Sequence, residues 1–238
     1  MEDQLMNLSQ YNNAGALFGL EGVNNDLLGA LQKMTPIKRQ QVINQLTAPT
    51  PPSQGSRAEM EKMFAELPAH IKEGLKKGEL RLADTIIYSI KPVTSKTIKL
   101  FETQDDKEIG LRNISNAKLP KNQVMVVSGI ILLAGVSTSA TKDDIMSTNY
   151  TGLEGFPALA SGETNLKANK KQILPETSNN AFKTAGTDLV RLGYYKLANP
   201  RLIQDDVLIE LTVELGTMTG IANNTHIYCG LHGTITTP

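Results

Sequence analysis

The sequence predicts a mainly β chain, an antiparallel β-sandwich preceded by a helical N-terminal arm. Three observations lead there. Apolar residues recur at helical spacing before residue 80 and alternate with polar ones after it. Eight or so short strand patterns then fall within about 155 residues, with turn signals but no helix-length pattern between them. The most apolar run, residues 124–136 (VMVVSGIILLAGV), is thirteen residues long and rich in Val and Ile. A membrane-spanning helix needs about 20 residues, so this run reads as buried strand and no transmembrane segment is expected.

Residues 1–46 read as the arm. Asn25-Asp26 precedes LLGALQKM, where Leu27, Leu28 and Leu31 share a stripe. Pro36 suits the first turn of a second helix running to about Leu46, with Ile37, Val42, Ile43 and Leu46 apolar. These seven side chains are candidate interface residues, since amphipathic pieces this short lack a sufficient core of their own. Residues 47–56 (TAPTPPSQGS) form a Pro-rich and then small, polar linker. A further helical segment spans 57–79. Ser56-Arg57-Ala58-Glu59 is a capping box. Met60, Met63, Phe64 and Leu67 follow at spacings of three and four. Pro68 should break or restart the helix, Ile71 and Leu75 continue the stripe, and Lys76-Lys77-Gly78 supplies the stop. This segment is expected to pack on the sandwich or on a neighbour.

The sandwich is assigned to 80–238. Strands are expected at 85–90, 97–103, 109–114 and 123–133, then, beyond a polar and Gly-rich passage at 137–163, at 165–168, 172–174 and 189–197. Passages longer than about 15 residues are usually functional or carry short elements of their own. The clearest strand is 207–215 (VLIELTVEL), with Val207, Ile209, Leu211, Val213 and Leu215 on one face and Glu210, Thr212 and Glu214 on the other. That is the signature of a sheet with one wet face. Residues 225–236 repeat it, with Ile227, Cys229, Leu231 and Ile235 inward.

Composition narrows the chemistry. The 238 residues carry 24 Lys and Arg against 24 Asp and Glu, which argues against strong nucleic-acid binding, because phosphate affinity rests on clustered cations. One cysteine excludes an intramolecular disulfide and a cysteine-rich metal site. Aromatic residues are 5% of the chain and Trp is missing, so stacking platforms are scarce. The N-terminus, Met1-Glu2-Asp3-Gln4, is acidic where a secretory signal is basic, and no signal peptide is expected.

The metal-competent residues gather in His226-x-x-Cys229-x-x-His232. On a strand Cys229 faces away from both histidines, so the segment reads as a core cysteine flanked by surface or interface histidines. His70 sits alone in a helical segment. The acidic pairs Asp105-Asp106, Asp143-Asp144 and Asp205-Asp206 fall in predicted turns, where Asp is a favoured cap. Lys167, Lys170 and Lys171 read as a solvated hairpin or a guard for an edge strand. No catalytic motif spacing is present. The expectation is a non-enzyme with no catalytic residue, no cofactor and no metal site. Tyr150 and Phe156 in the long passage are the remaining candidate contact residues. In a carbohydrate- or receptor-binding module of a fibre or appendage, the alternative reading, they would be its aromatic contacts.

The last forty residues carry Tyr195-x-Leu197-x-Asn199-Pro200-Arg201-x-Ile203, the amphipathic strand 207–215, a polar loop, and a final strand through Gly230-Leu231-His232-Gly233-Thr234. Together with the 163–182 segment (Asn169-Lys170-Lys171-Gln172-Ile173-Leu174-Pro175 and Phe182), this layout resembles the C-terminal end of jelly-roll structural proteins of icosahedral bacteriophages. The resemblance implies a single jelly roll with a helical arm, made in a host cytoplasm and located in the virion. It implies a capsid shell or vertex subunit that contacts copies of itself, as trimers or pentamers, and other capsid proteins.

Overall fold

The computed structural model describes residues 35, 56–184 and 190–238. Thr35 and Ser56 apart, the expected arm 1–46 and linker 47–56 lie outside the described residues. So do Leu27, Leu28, Leu31, Ile37, Val42, Ile43 and Leu46. The β part belongs to a compact unit, Ser53–Pro238.

Among the described residues eight strands make two four-stranded sheets: β1 (Arg81–Pro92), β2 (Thr97–Lys99), β3 (Met125–Val136), β4 (Glu163–Ala168), β5 (Lys171–Ser178), β6 (Tyr194–Ile203), β7 (Ile209–Glu214) and β8 (Thr225–Thr237). The first sheet has the order β1-β8-β3-β6 and the second β2-β7-β4-β5. Every pairing is antiparallel. Four of them, β1–β8, β2–β7, β3–β6 and β4–β5, join strands whose numbers sum to nine. They describe one long ribbon doubled back at the β4–β5 turn. The β3–β8 and β4–β7 pairings close the curled ribbon into two sheets.

Alternation builds the core. Ile209, Leu211 and Val213 of β7 and Ile227, Cys229, Leu231 and Ile235 of β8 are buried. They meet Val127, Ile130, Leu132, Leu166, Leu174 and Leu197 in one apolar cluster drawn from both sheets. A smaller cluster lies on the outer face of the first sheet. There helices α1 (Ser56–Lys62) and α2 (Ala69–Lys77) and the turn between them bring Met60, Ile71 and Leu67 onto Val124, Val126, Leu82 and Leu202. Pro68 sits at the N-cap of α2, and Gly78, left-handed at φ 77°, closes it, as the sequence predicts.

The covered outer face corrects one expectation. Strand β8 is read as having one wet face, yet its outward residues His226, Thr234 and Thr236 are 3%, 1% and 0% exposed. Helices and loops lie over them, and alternation within a strand cannot report what sits above it. A second correction concerns 109–114, which forms no strand. Gly110 turns left-handed at φ 89°, and the amides of Leu111 and Arg112 both donate to the Glu108 carbonyl at 3.0 and 2.8 Å. The result is a tight turn whose Leu111 and Ile114 are buried. Strand β2 is three residues long, shorter than the expected 97–103. Strand β6 starts at Tyr194, later than the expected 189, and runs on through Pro200, which an edge strand tolerates.

Candidate functional site

The 137–163 passage carries elements of its own: α3 (Lys142–Ser147), a 3-10 turn (Leu153–Gly155) and the short helix α4 (Pro157–Ala160). Thr141 caps α3. Asp144 accepts hydrogen bonds from the Ser139 and Thr141 hydroxyls, the latter at 2.9 Å. These bonds, Ser139 first, hold its carboxyl below the usual range. The passage folds beside the turn at 108–112, and the two are joined in several places. Lys142 pairs with Glu108 and Met146 lies against Gly110, while the Gly110 amide donates to the Tyr88 hydroxyl of β1 at 3.2 Å.

Beneath this junction lies an aromatic pad. Tyr88 stacks on Tyr228 with centroids 5.8 Å apart, and Tyr150 packs on Tyr228 at 6.1 Å. The Tyr150 hydroxyl donates to the Ile145 carbonyl at 3.1 Å. Burial pushes the Tyr150 and Tyr228 phenols up to about 12. Tyr150 thus props the passage on the sheet, and Phe156 is half-buried against the main core. Both expected contact residues are engaged within their own chain. Above the pad, Ile109 is 87% and Met146 42% exposed.

Three ion pairs brace the same loop. Lys91 lies 2.5 Å from Glu102 and 2.8 Å from Asp105, and Arg112 lies 3.2 Å from Asp105. The two Lys91 pairs tie the 102–112 stretch to β1, and the Arg112–Asp105 pair joins the stretch to itself. Asp105 is accordingly structural, Asp206 pairs with Lys118 at 2.9 Å, and Asp205 accepts from the Asn122 amide at 2.9 Å. His70 lies 3.9 Å from Asp205. Among the described residues no group of three or more His, Cys, Asp or Glu could hold a metal ion.

The His226–Cys229–His232 segment alternates as expected. Cys229 is buried in the core, and burial pushes its thiol up. His226 is not at the surface: it is buried under residue 137, with Nδ1 2.7 Å from the Asn224 carbonyl and 3.5 Å from Ser137 Oγ. His232 stands in a half-open polar cluster on the outer face of the first sheet. Ser128, the extra residue of a bulge between Val127 and Gly129, donates to the His232 carbonyl at 3.2 Å and lies 3.2 Å from its Nδ1. Tyr194 meets the imidazole edge-on at 5.6 Å. Desolvation first, then Arg191, lowers the His232 pKa, with Asp84 opposing. Ser128 and His232 stand 104 residues apart in sequence, so only the topology reveals the cluster.

A cleft of about 660 Å³ opens beside β1. Its floor includes Ile87, Ile114, Leu119 and Ile235, and Lys107, Lys118 and Lys121 rim it. The turn at 115–118 lining it holds Asn116 and Ala117 at φ 54° and 53°. The Asn116 amide donates to the Asp105 carbonyl at 2.7 Å, and the Ile209 amide to the Ala117 carbonyl at 2.8 Å. These bonds enforce a backbone that L-residues otherwise avoid.

Neither a protein-family model nor a curated protein matches this chain. Among the described residues no helix is long and apolar enough to cross a membrane.

Proposed function

We propose that this chain is a virion structural protein, a capsid shell or vertex subunit built on a single jelly roll with residues 1–46 as its arm. The observation that carries the reading is the strand order. The orders β1-β8-β3-β6 and β2-β7-β4-β5 are what an eight-stranded ribbon makes when it wraps into two Greek keys, and capsid domains are a leading use of that wrap. The wrap alone does not separate shells from lectins or cupins. The interior favours a shell over a cupin-like site, which needs inward ligands: among the described residues thirty buried apolar side chains fill the main cluster. The lectin-like alternative needs open aromatic platforms, whereas Tyr150 is packed on Tyr228 and Phe156 on the core. Chemistry is then carried by surface contacts between subunits.

The test is the mass of the purified full chain by light scattering after gel filtration, combined with limited proteolysis. Closed trimers or pentamers with residues 1–50 protected support the reading. A strict monomer at high concentration, with residues 1–50 cut early, contradicts it.

A further inference from the structure

We infer that an internal water molecule is bound where the 102–112 stretch meets β1, held by Ser89 Oγ, Arg112 Nε and Asp105 Oδ2. Among the described residues these are the buried side-chain polar atoms that make no hydrogen bond within the protein. Unrelated orphans would be scattered over the fold, but the topology gathers these three. Ser89 and Arg112 face each other across an antiparallel bridge. On either side of it the Ile90 amide donates to the Leu111 carbonyl at 2.9 Å and the Asn113 amide to the Tyr88 carbonyl at 3.3 Å. That pattern makes Ser89 and Arg112 a close, non-hydrogen-bonded pair with both side chains on one face. Lys91, two residues along β1, shares that face. Asp105 completes the ring, its Oδ1 accepting from Arg112 Nη1 at 3.2 Å and from Lys91 Nζ at 2.9 Å. Its Oδ2 lies 2.8 Å from Lys91 Nζ as an ion pair yet takes no hydrogen bond.

Burial, charge and donor count name the ligand. Ser89 is 1% exposed, and its register partner on β8 is the buried Cys229, so its hydroxyl cannot reach bulk solvent. A buried polar atom left without a partner forfeits the hydration it had in the unfolded chain. Lys91 and Arg112 are balanced by Glu102 and Asp105, so the ring carries no net charge. A cation would lie against the Arg112 guanidinium, and an anion against the Asp105 carboxylate. Arg112 Nε can only donate, Asp105 Oδ2 can only accept, and the Ser89 hydroxyl can do either. A small neutral ligand that accepts from the first, donates to the second and shares its remaining bond with the third is water, and about three bonds is the usual number for a buried one. The water then completes the brace that the ion pairs begin, and the site is independent of the shell reading.

The experiment is a high-resolution crystal structure of the full chain, paired with magnetic relaxation dispersion of solvent water, which counts slowly exchanging internal waters. The crystal should show a single water peak within about 3.2 Å of Ser89 Oγ, Arg112 Nε and Asp105 Oδ2. Ser89→Val, whose added methyl groups occupy the water's position, should lower the count of long-lived waters by one while the circular dichroism stays that of the wild type. Arg112→Lys keeps a cation beside Asp105 but removes Nε, and it should bring the same loss of one if Ser89→Val does not fold. A wild-type site that is dry, its three atoms bonded to other protein groups, overturns the inference. So does a peak that refines as an ion, or a water count unchanged in a folded variant.

Discussion

At the residue scale, the outer-face cluster around His232 makes the clearest physical commitments. Its folded pKa lies below the ordinary 6.5, chiefly through desolvation. Between the folded value and 6.5 the unfolded chain therefore binds more protons than the folded one, and stability falls as pH falls through that window. His232→Gln is expected to flatten the dependence of the urea midpoint on pH just below 6.5. It should leave the lower-pH loss from Asp144 and Asp206, whose carboxyls are held below 3.8. Gly129 makes the second commitment. A Cβ there would stand 2.3 Å from the Tyr194 ring, so Gly129→Ala should cost about 2 kcal/mol by overpacking. Denaturant titration should show the loss, and adding Tyr194→Ala should recover part of it. The sequence marks His232 as lying opposite Cys229 across β8. It says nothing of Ser128 and Tyr194, which reach it from β3 and β6 through a bulge and a sheet order that local patterning does not encode.

At the scale of elements, legibility followed burial on one face. Strand β7 is plain in the sequence because its inner face is oily and its outer face, with Glu210, Thr212 and Glu214, is the more exposed. Residues 109–114 mislead for the converse reason: Ile109, Leu111 and Ile114 mimic a strand, while Gly110 imposes a turn and sends Ile109 outward. The β4–β5 hairpin offers a test of turn chemistry. Asn169 and Lys170 sit at φ 50° and 63°, a two-residue turn with both residues left-handed, where Gly is preferred in the second place. Lys170→Gly is expected to raise stability by about 0.5–1 kcal/mol, read as a higher melting temperature. An unchanged or lower value would contradict the assigned turn.

At the largest scale, that of the described residues of the 53–238 unit, the first sheet is a middle layer. The second sheet covers its inner face, and helices and loops cover much of its outer one. The helical segment is legible in the sequence through Pro68, Gly78 and the Met60–Ile71 stripe, but which surface it covers is not, because an amphipathic stripe names no partner. Ile71 is 0% exposed in that contact, so Ile71→Ala should cost about 3 kcal/mol in a denaturant titration and loosen α1 and α2 first in hydrogen exchange. If those helices instead exchange together with the core strands, the smaller cluster is an integral part of the fold. The larger claim is that surfaces carry this protein's function. Electron cryo-microscopy of the purified full chain at high concentration tests it most directly. Closed rings of three or five copies are expected, with the sandwiches side by side. Class averages of isolated single sandwiches at every concentration would contradict it.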